Sequence, residues 1–409
     1  MIVKYLKTSK IQHKTVLVRG SVDASVDLAK GKVSDDFRLR SFLPTVKFLR
    51  SNGNKVIICG KMKRAKGKPV PEFSLRPAAE CMADLLGFKF IATNYALPDY
   101  EIPHLIFYSG DIREEKHLEQ IKNIPKKDVV FLENLEYYPE ELSDDSEFAN
   151  KLASLADIYV DDDFTKTHHP VASNVGVTKL LSSYAGLLLE QEIKSLDAVL
   201  KHAKKPLVLM TGGIKLTEKV GALENLGKKA DIILVGGGVA SLMFKNKGYE
   251  IGLSKVEEGE DRIAFQIMKN YKNKLILPLD VVVANKNMDT DSIRVCLPYE
   301  VSPREQILDA GPKTIMEFSK HIKTAKTIVW SGPLGMYEKK PFHHASFALA
   351  RLIGGRGKGK AFVVVGGGDT VDIIRQTHQF EHIDHVSTGG GAMLEYLAGN
   401  KLPGIESLK

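Results

Sequence analysis

The stretch Ala361-Phe-Val-Val-Val-Gly-Gly-Gly-Asp-Thr370 runs from apolar β-formers straight into three glycines, a carboxylate and a hydroxyl. A strand apolar on both faces belongs in a parallel sheet covered by helices. Where such a strand turns into a helix, the first backbone N–H groups have no intrahelical partner, and residues without Cβ let a phosphate approach them. Gly212-Gly213, Gly236-Gly237-Gly238 and Gly389-Gly390-Gly391 repeat the pattern, each after its own apolar run. Together these turns predict a site for a polyphosphate and its metal.

Working outward, apolar runs at 207–210, 231–235, 275–284, 327–330 and 385–387 supply further strands, and 16–19, 55–59, 129–132 and 157–160 form an earlier series. Between the two series, 180–203 reads as a long amphipathic helix that ends before Pro206. The predicted fold is therefore α/β, with two doubly wound, parallel-sheet, Rossmann-like domains joined by that helix. In such sheets ligands bind beyond the carboxyl ends of the strands, where every glycine cluster falls.

A chain of 409 residues with 43% hydrophobic content can bury two cores. No apolar run approaches the roughly 20 residues needed to span a bilayer, and the first residues lack the apolar segment of a secretory signal. The cytoplasm is the expected location. Cys59, Cys81 and Cys296 show no metal spacing and cannot all pair, so reduced structural thiols are expected. The net charge of +8 is mostly interspersed, which fits a solvated basic surface and small anionic ligands better than nucleic acid. The basic run at 61–68 is the exception.

Lys215 and Lys219, four apart after Gly212-Gly213, read as two ammoniums on one helix face that reach a single phosphate chain. The alternative is a solvated helix start, although cations there oppose the helix dipole. Asp369 reads as an N-cap, as a carboxylate facing Mg²⁺-bound phosphates, or as both. Glu338, beyond the Gly332-Pro333 turn, stands where a ribose hydroxyl could meet it. A Walker GxxxxGK[ST] run, protein-kinase HRD and DFG motifs and a strict GxGxxG are all missing from the sequence.

In order and spacing the chain resembles the phosphoglycerate kinase family from about residue 5 to 409. GGIKLTEK is similar to the family's GGAKVSDK and WSGPLGMYE to its WNGPMGVFE, while GGGDT and STGGGA match outright. The resemblance implies a bilobal, hinge-closing kinase that binds ATP or ADP and Mg²⁺ in its C-terminal domain. Lys219 would contact nucleotide phosphates, Lys215 the transferred phosphoryl group and Glu338 the ribose. Gly213, Gly237, Gly238, Pro333, Gly367, Gly368, Asp369 and Thr370 would complete the nucleotide site, with Asp369 on Mg²⁺ directly or through water. Arg38, Lys215, Gly390 and Gly391 would form the catalytic group. The implied division is 1–178 for the acid-binding domain, 179–203 for the connector and 204–390 for the nucleotide domain, with 391–409 returning to the first.

The acid-binding half departs from the family pattern. Asp23 is retained, with Ser25 at the family's Asn position, and DDFR keeps Arg38. GKMKRA replaces SHLGRP, so Lys61 stands at a His position while Arg64 remains. LENLEYY replaces LENLRFH, which puts Glu136 at a phosphate-binding Arg. DDDFTKTHHPVAS replaces NDAFGTAHRAHAS, which puts His168 at the family His and His169 at a second Arg. Each lost hydrogen bond to a charged group costs roughly 1.5–3 kcal/mol. Two missing arginines thus imply a loss of about two to four decades in affinity, offset where Lys61, Lys63 and Lys166 compensate.

The expected activity is phosphoryl transfer between ATP and the carboxylate of 3-phosphoglycerate by a monomer, with no nucleic-acid or membrane partner. Two alternatives follow from the divergent half: a different small acceptor, or a nucleotide-binding homologue impaired in catalysis.

Overall fold

The computed structural model describes residues 3–93 and 102–409. The chain divides into two compact units, Met1–Ile193 with Lys401–Lys409, and Lys194–Asn400.

The first unit carries β1 (Thr15–Gly20), β2 (Ser25–Asp27), β3 (Lys32–Asp35), β4 (Lys55–Cys59), β5 (Lys89–Thr93), β6 (His104–Tyr108), β7 (Val129–Leu132), β8 (Ile158–Asp162) and β9 (Ser182–Ala185). Seven of these form a parallel sheet in the order β5-β6-β7-β4-β1-β8-β9, and β2 and β3 make a separate antiparallel ribbon. Every residue of β4, β6 and β7 is buried, as expected of strands covered on both faces. Leu39, Phe42 and Val46 of the helix Phe37–Ser51 pack into the same core as Val16, Val18, Val56 and Ile58.

The second unit carries β10 (Leu207–Thr211), β11 (Ile232–Val235), β12 (Leu275–Ile276), β13 (Val281–Asn285), β14 (Arg294–Cys296), β15 (Glu305–Ala310), β16 (Thr327–Ser331), β17 (Phe362–Gly366) and β18 (His385–Val386). Its main sheet is parallel in the order β12-β11-β10-β16-β17-β18. The direction of winding reverses between β10 and β16, which makes the crevice past their carboxyl ends the topological switch point. β13, β14 and β15 form a second, antiparallel sheet.

The structure departs from the sequence reading at several elements. The run 275–284 is two strands of different sheets, because Pro278 breaks it and Asp280 is turned to cap the helix Pro312–Thr324, accepting from Lys313 N (3.0 Å) and Thr314 N (2.8 Å). Residues 182–185 join β8 as β9, so the long helix is confined to Leu187–His202. Asp162, at the end of β8, fixes that start by accepting from Leu189 N (2.9 Å). The returning segment begins at Lys401 and not at 391, because the helix Gly390–Leu397 packs on the helix Thr217–Lys229, where Asn225 Nδ2 donates to Leu397 O (2.7 Å). Gly404 N then donates to Thr167 O in the first unit (2.9 Å). Among the described residues no helix is long and apolar enough to cross a membrane.

Candidate active site

At the switch point of the second unit, three loops meet backbone to backbone. Gly213 N donates to Pro333 O (2.7 Å), Gly237 N to Leu334 O (3.0 Å) and Val239 N to Gly213 O (3.0 Å). A Cβ on Gly212 would fall on the carbonyl oxygen of Pro333, and one on Gly237 would lie 2.7 Å from Gly213 N. Gly213 and Gly237 also have φ of +75° and +59°, which glycine adopts without strain. Trp330 Nε1 holds the third loop by donating to Gly332 O (2.8 Å), and Thr370 Oγ1 accepts from Gly332 N (2.7 Å).

These loops and β15 enclose a pocket of about 540 Å³. Gly213, Lys215, Lys219, Gly237, Gly238, Pro333, Glu338 and Asp369 line it, so it gathers most of the residues expected to hold a nucleotide. Lys215 lies in the turn before the helix Thr217–Lys229, not on its face, and its exposed ammonium meets Glu218 Oε1 at 2.7 Å. Lys219, in the first helical turn, is 8% exposed and donates to Lys215 O (3.0 Å). Burial pushes the Lys219 ammonium below the ordinary lysine value, against the pull of Glu218 and Asp369. A cation stripped of water at a cavity wall is relieved by an incoming phosphate.

Asp369 is not the N-cap. Gly367 occupies that place at φ +95°, and the exposed Asp369 carboxylate sits in the first turn of the helix Gly368–Gln376. It makes no hydrogen bond or ion pair among the described residues and borders the pocket. Mg²⁺ usually takes one or two carboxylates plus substrate oxygens, so this single carboxylate fits the metal, although the described residues contain no cluster of three or more ligating side chains. Thr370 is fully buried as the brace of Gly332 and does not border the pocket, and neither do Gly367 and Gly368. Gly390 and Gly391 open the last long helix against Gly367, where a Cβ on Gly390 would lie 2.9 Å from Gly367 Cα. Sequence reading missed the wall Gln306–Asp309, because β15 had no run of consecutive apolar residues to mark it.

In the first unit, the loops after β1, β4, β7 and β8 leave the same edge of the sheet from adjacent strands. Asp23 accepts from Lys61 Nζ (2.6 Å) and Lys63 N (3.1 Å), and Arg38 Nη1 donates to its backbone oxygen (2.8 Å). Burial by itself would raise the Asp23 carboxyl, but Lys61 and Arg38 hold it below the usual range. Arg64 is exposed with no partner among the described residues, and Ser25 lies exposed on β2. The rings of His168 and His169 stack at 4.1 Å between centroids.

Glu136 does not face outward. It is 3% exposed, its Oε2 accepts from Ala65 N (3.1 Å) and its Oε1 from Lys166 Nζ (3.1 Å). Its carboxylate thus ties the 61–68 loop to Lys166, and the repulsion expected from it is neutralised locally. Lys61 and Lys166 are correspondingly engaged, by Asp23 and Glu136. Beneath them Arg19, 1% exposed, bonds Asp163 and donates through Nε to Ser173 Oγ (2.8 Å), which itself donates to Glu141 Oε1 (2.6 Å). Burial pushes Glu141 and Asp161 up to about 7.

The family profile described as Phosphoglycerate kinase matches residues 6–400. The phosphoglycerate kinase of Finegoldia magna is 35% identical over 410 residues, covering 99% of this chain and 98% of that one. That of Thermosipho africanus is 38% identical over 405 residues, covering 97% and 96%. Among solved structures, phosphoglycerate kinase from Coxiella burnetii superposes with a TM-score of 0.82 at 30% identity, covering 100% of this chain and 99% of that one. With two parallel-sheet units, a glycine-lined pocket at the switch point and this likeness over its full length, the chain belongs to the phosphoglycerate kinase family.

Proposed function

We propose that the chain transfers the γ-phosphoryl group of ATP reversibly to the carboxylate of 3-phosphoglycerate, giving 1,3-bisphosphoglycerate and ADP. The observation that carries this reading is the pocket where Gly213, Gly237 and Pro333 meet backbone to backbone beside Lys219 and Asp369. Its glycines leave room for phosphate oxygens, its two lysines supply charge, and Asp369 would hold Mg²⁺, which when bound neutralises phosphate charge. Glu338 is assigned to the ribose.

Transfer forms a bond from the acid's carboxylate oxygen to the γ-phosphorus and breaks the bond from that phosphorus to the β,γ-bridging oxygen, whose electron pair leaves with ADP. No proton moves and no covalent enzyme intermediate is needed. Catalysis is positioning plus charge neutralisation, which we assign to Lys215 and Arg38 with the N–H groups at Gly390 and Gly391. Arg38, Lys61, Arg64, His168 and His169 would hold the acid and its phosphate, with Lys166 as an added cation. The reading requires the two units to bring their ligands together in a water-excluding closure. We take the protein to act as a cytoplasmic monomer, and its three unpaired cysteines suit a reducing compartment.

A coupled assay with 3-phosphoglycerate, ATP and Mg²⁺ tests the proposal. Arg38→Ala is expected to lower turnover at least a hundredfold, and turnover that survives it unchanged would sink the mechanism.

A further inference from the structure

We propose that Gln306 reads the base of the bound nucleotide, its carbonyl oxygen accepting a hydrogen bond from the 6-amino group of adenine. This rests on the nucleotide pocket assigned above. The cations and Asp369 gather at one end of that pocket, while Ile307, Leu308, Leu334 and Met336 offer an apolar wall suited to a planar base. Gln306 borders the pocket beside that wall.

The orientation of its amide is fixed by its partners. Nε2 donates to Asn285 O (2.9 Å) and Lys286 O (3.1 Å), so both of its hydrogens are engaged and two carbonyl acceptors forbid the flipped amide. Oε1 is then the only polar atom of the side chain without a partner among the described residues. It is not among the atoms sealed from solvent without a partner, so it reaches open space. The open space at Gln306 is this pocket. A fixed acceptor there pairs with the N6–H of adenine and meets the O6 of guanine lone pair to lone pair, which is how a site separates two purines of similar shape.

The test is calorimetric titration of the full chain with ADP, GDP and the diphosphate of purine riboside, which carries hydrogen in place of the 6-amino group. For the wild type we expect ADP to bind about fivefold tighter than the 6-hydrogen analogue, as for one neutral hydrogen bond, and GDP to bind more weakly than either. In Gln306→Met the ratio of ADP to the analogue falls to about one. Loss of the amide also leaves two backbone carbonyls without donors, but that structural effect weakens both nucleotides alike and leaves their ratio where it was. A ratio unchanged in the variant, or a wild type that does not distinguish ADP from the analogue, overturns the proposal, and the wild-type comparison holds even where the variant fails to fold. Turnover of 3-phosphoglycerate is read separately. Discrimination without turnover supports this inference and overturns the kinase reading, whereas turnover without discrimination does the reverse.

Discussion

Two cations illustrate how differently the same charge is used. Arg19 is buried against Asp163 and Ser173, whereas the Lys215 side chain is 65% exposed beside Glu218. Removing one partner of a buried pair leaves the other charge stranded in low dielectric, so Arg19→Met should destabilise the protein by about 3–5 kcal/mol. Urea denaturation measures this as a lower midpoint. Lys215→Ala should change stability by no more than ~0.5 kcal/mol, because exposed ion pairs contribute little. The same change should lower kcat by about a hundred- to a thousandfold, the usual cost of deleting a group that stabilises developing charge. Glu136 belongs with Arg19 and not with the ligand site: its identity was legible in the sequence, but its inward turn toward Lys166 was not. That turn removes the main reason for supposing a different acceptor.

At the level of elements, the glycines that end the strands divide into those required by the fold and those available to a ligand. A Cβ on Gly212 meets the Pro333 carbonyl, whereas one on Gly368 meets nothing within 4 Å. Gly212→Ala should therefore cost about 1–3 kcal/mol of stability, through forced backbone shifts, and lose nucleotide binding with it. Gly368→Ala should leave stability intact or slightly raised and still weaken ADP, because its methyl stands where a phosphate would approach. Thermal melts with ADP titrations separate the two. The start of the helix Leu187–His202 carries a pH signature of its own. Burial lifts the Asp162 carboxyl from 3.8 to about 7 while it accepts from Leu189 N. A raised acid binds its proton more tightly in the folded chain, so its contribution is complete below about pH 4 and is lost as pH rises toward 7. Asp162→Asn should flatten that part of the urea-midpoint profile between pH 4 and 7, and an unchanged slope would contradict the assignment.

For the whole molecule, each unit has its own sheet and core, so each ligand should protect its own loops. Hydrogen exchange with ADP bound should slow amides at 212–215, 236–238 and 332–334 and leave 61–68 unchanged, and 3-phosphoglycerate should do the opposite. Protection of 61–68 by ADP alone would contradict the division of ligands between the units. The sequence by itself determined the α/β class, the glycine-ended strands of the second unit and the family motifs, because apolar runs and missing side chains are properties of neighbouring residues. It left β5, β6, β9, β14 and β15 unread, since their apolar residues are fewer or interrupted and their burial comes from strands and helices distant in the chain. Only the tertiary structure decided that Gly212 abuts Pro333, that Thr370 braces Gly332 from 38 residues away and that Glu136 turns inward to Lys166. Which partner a polar group or a bare Cα finally meets depends on how distant strands are brought side by side, and no local pattern encodes that.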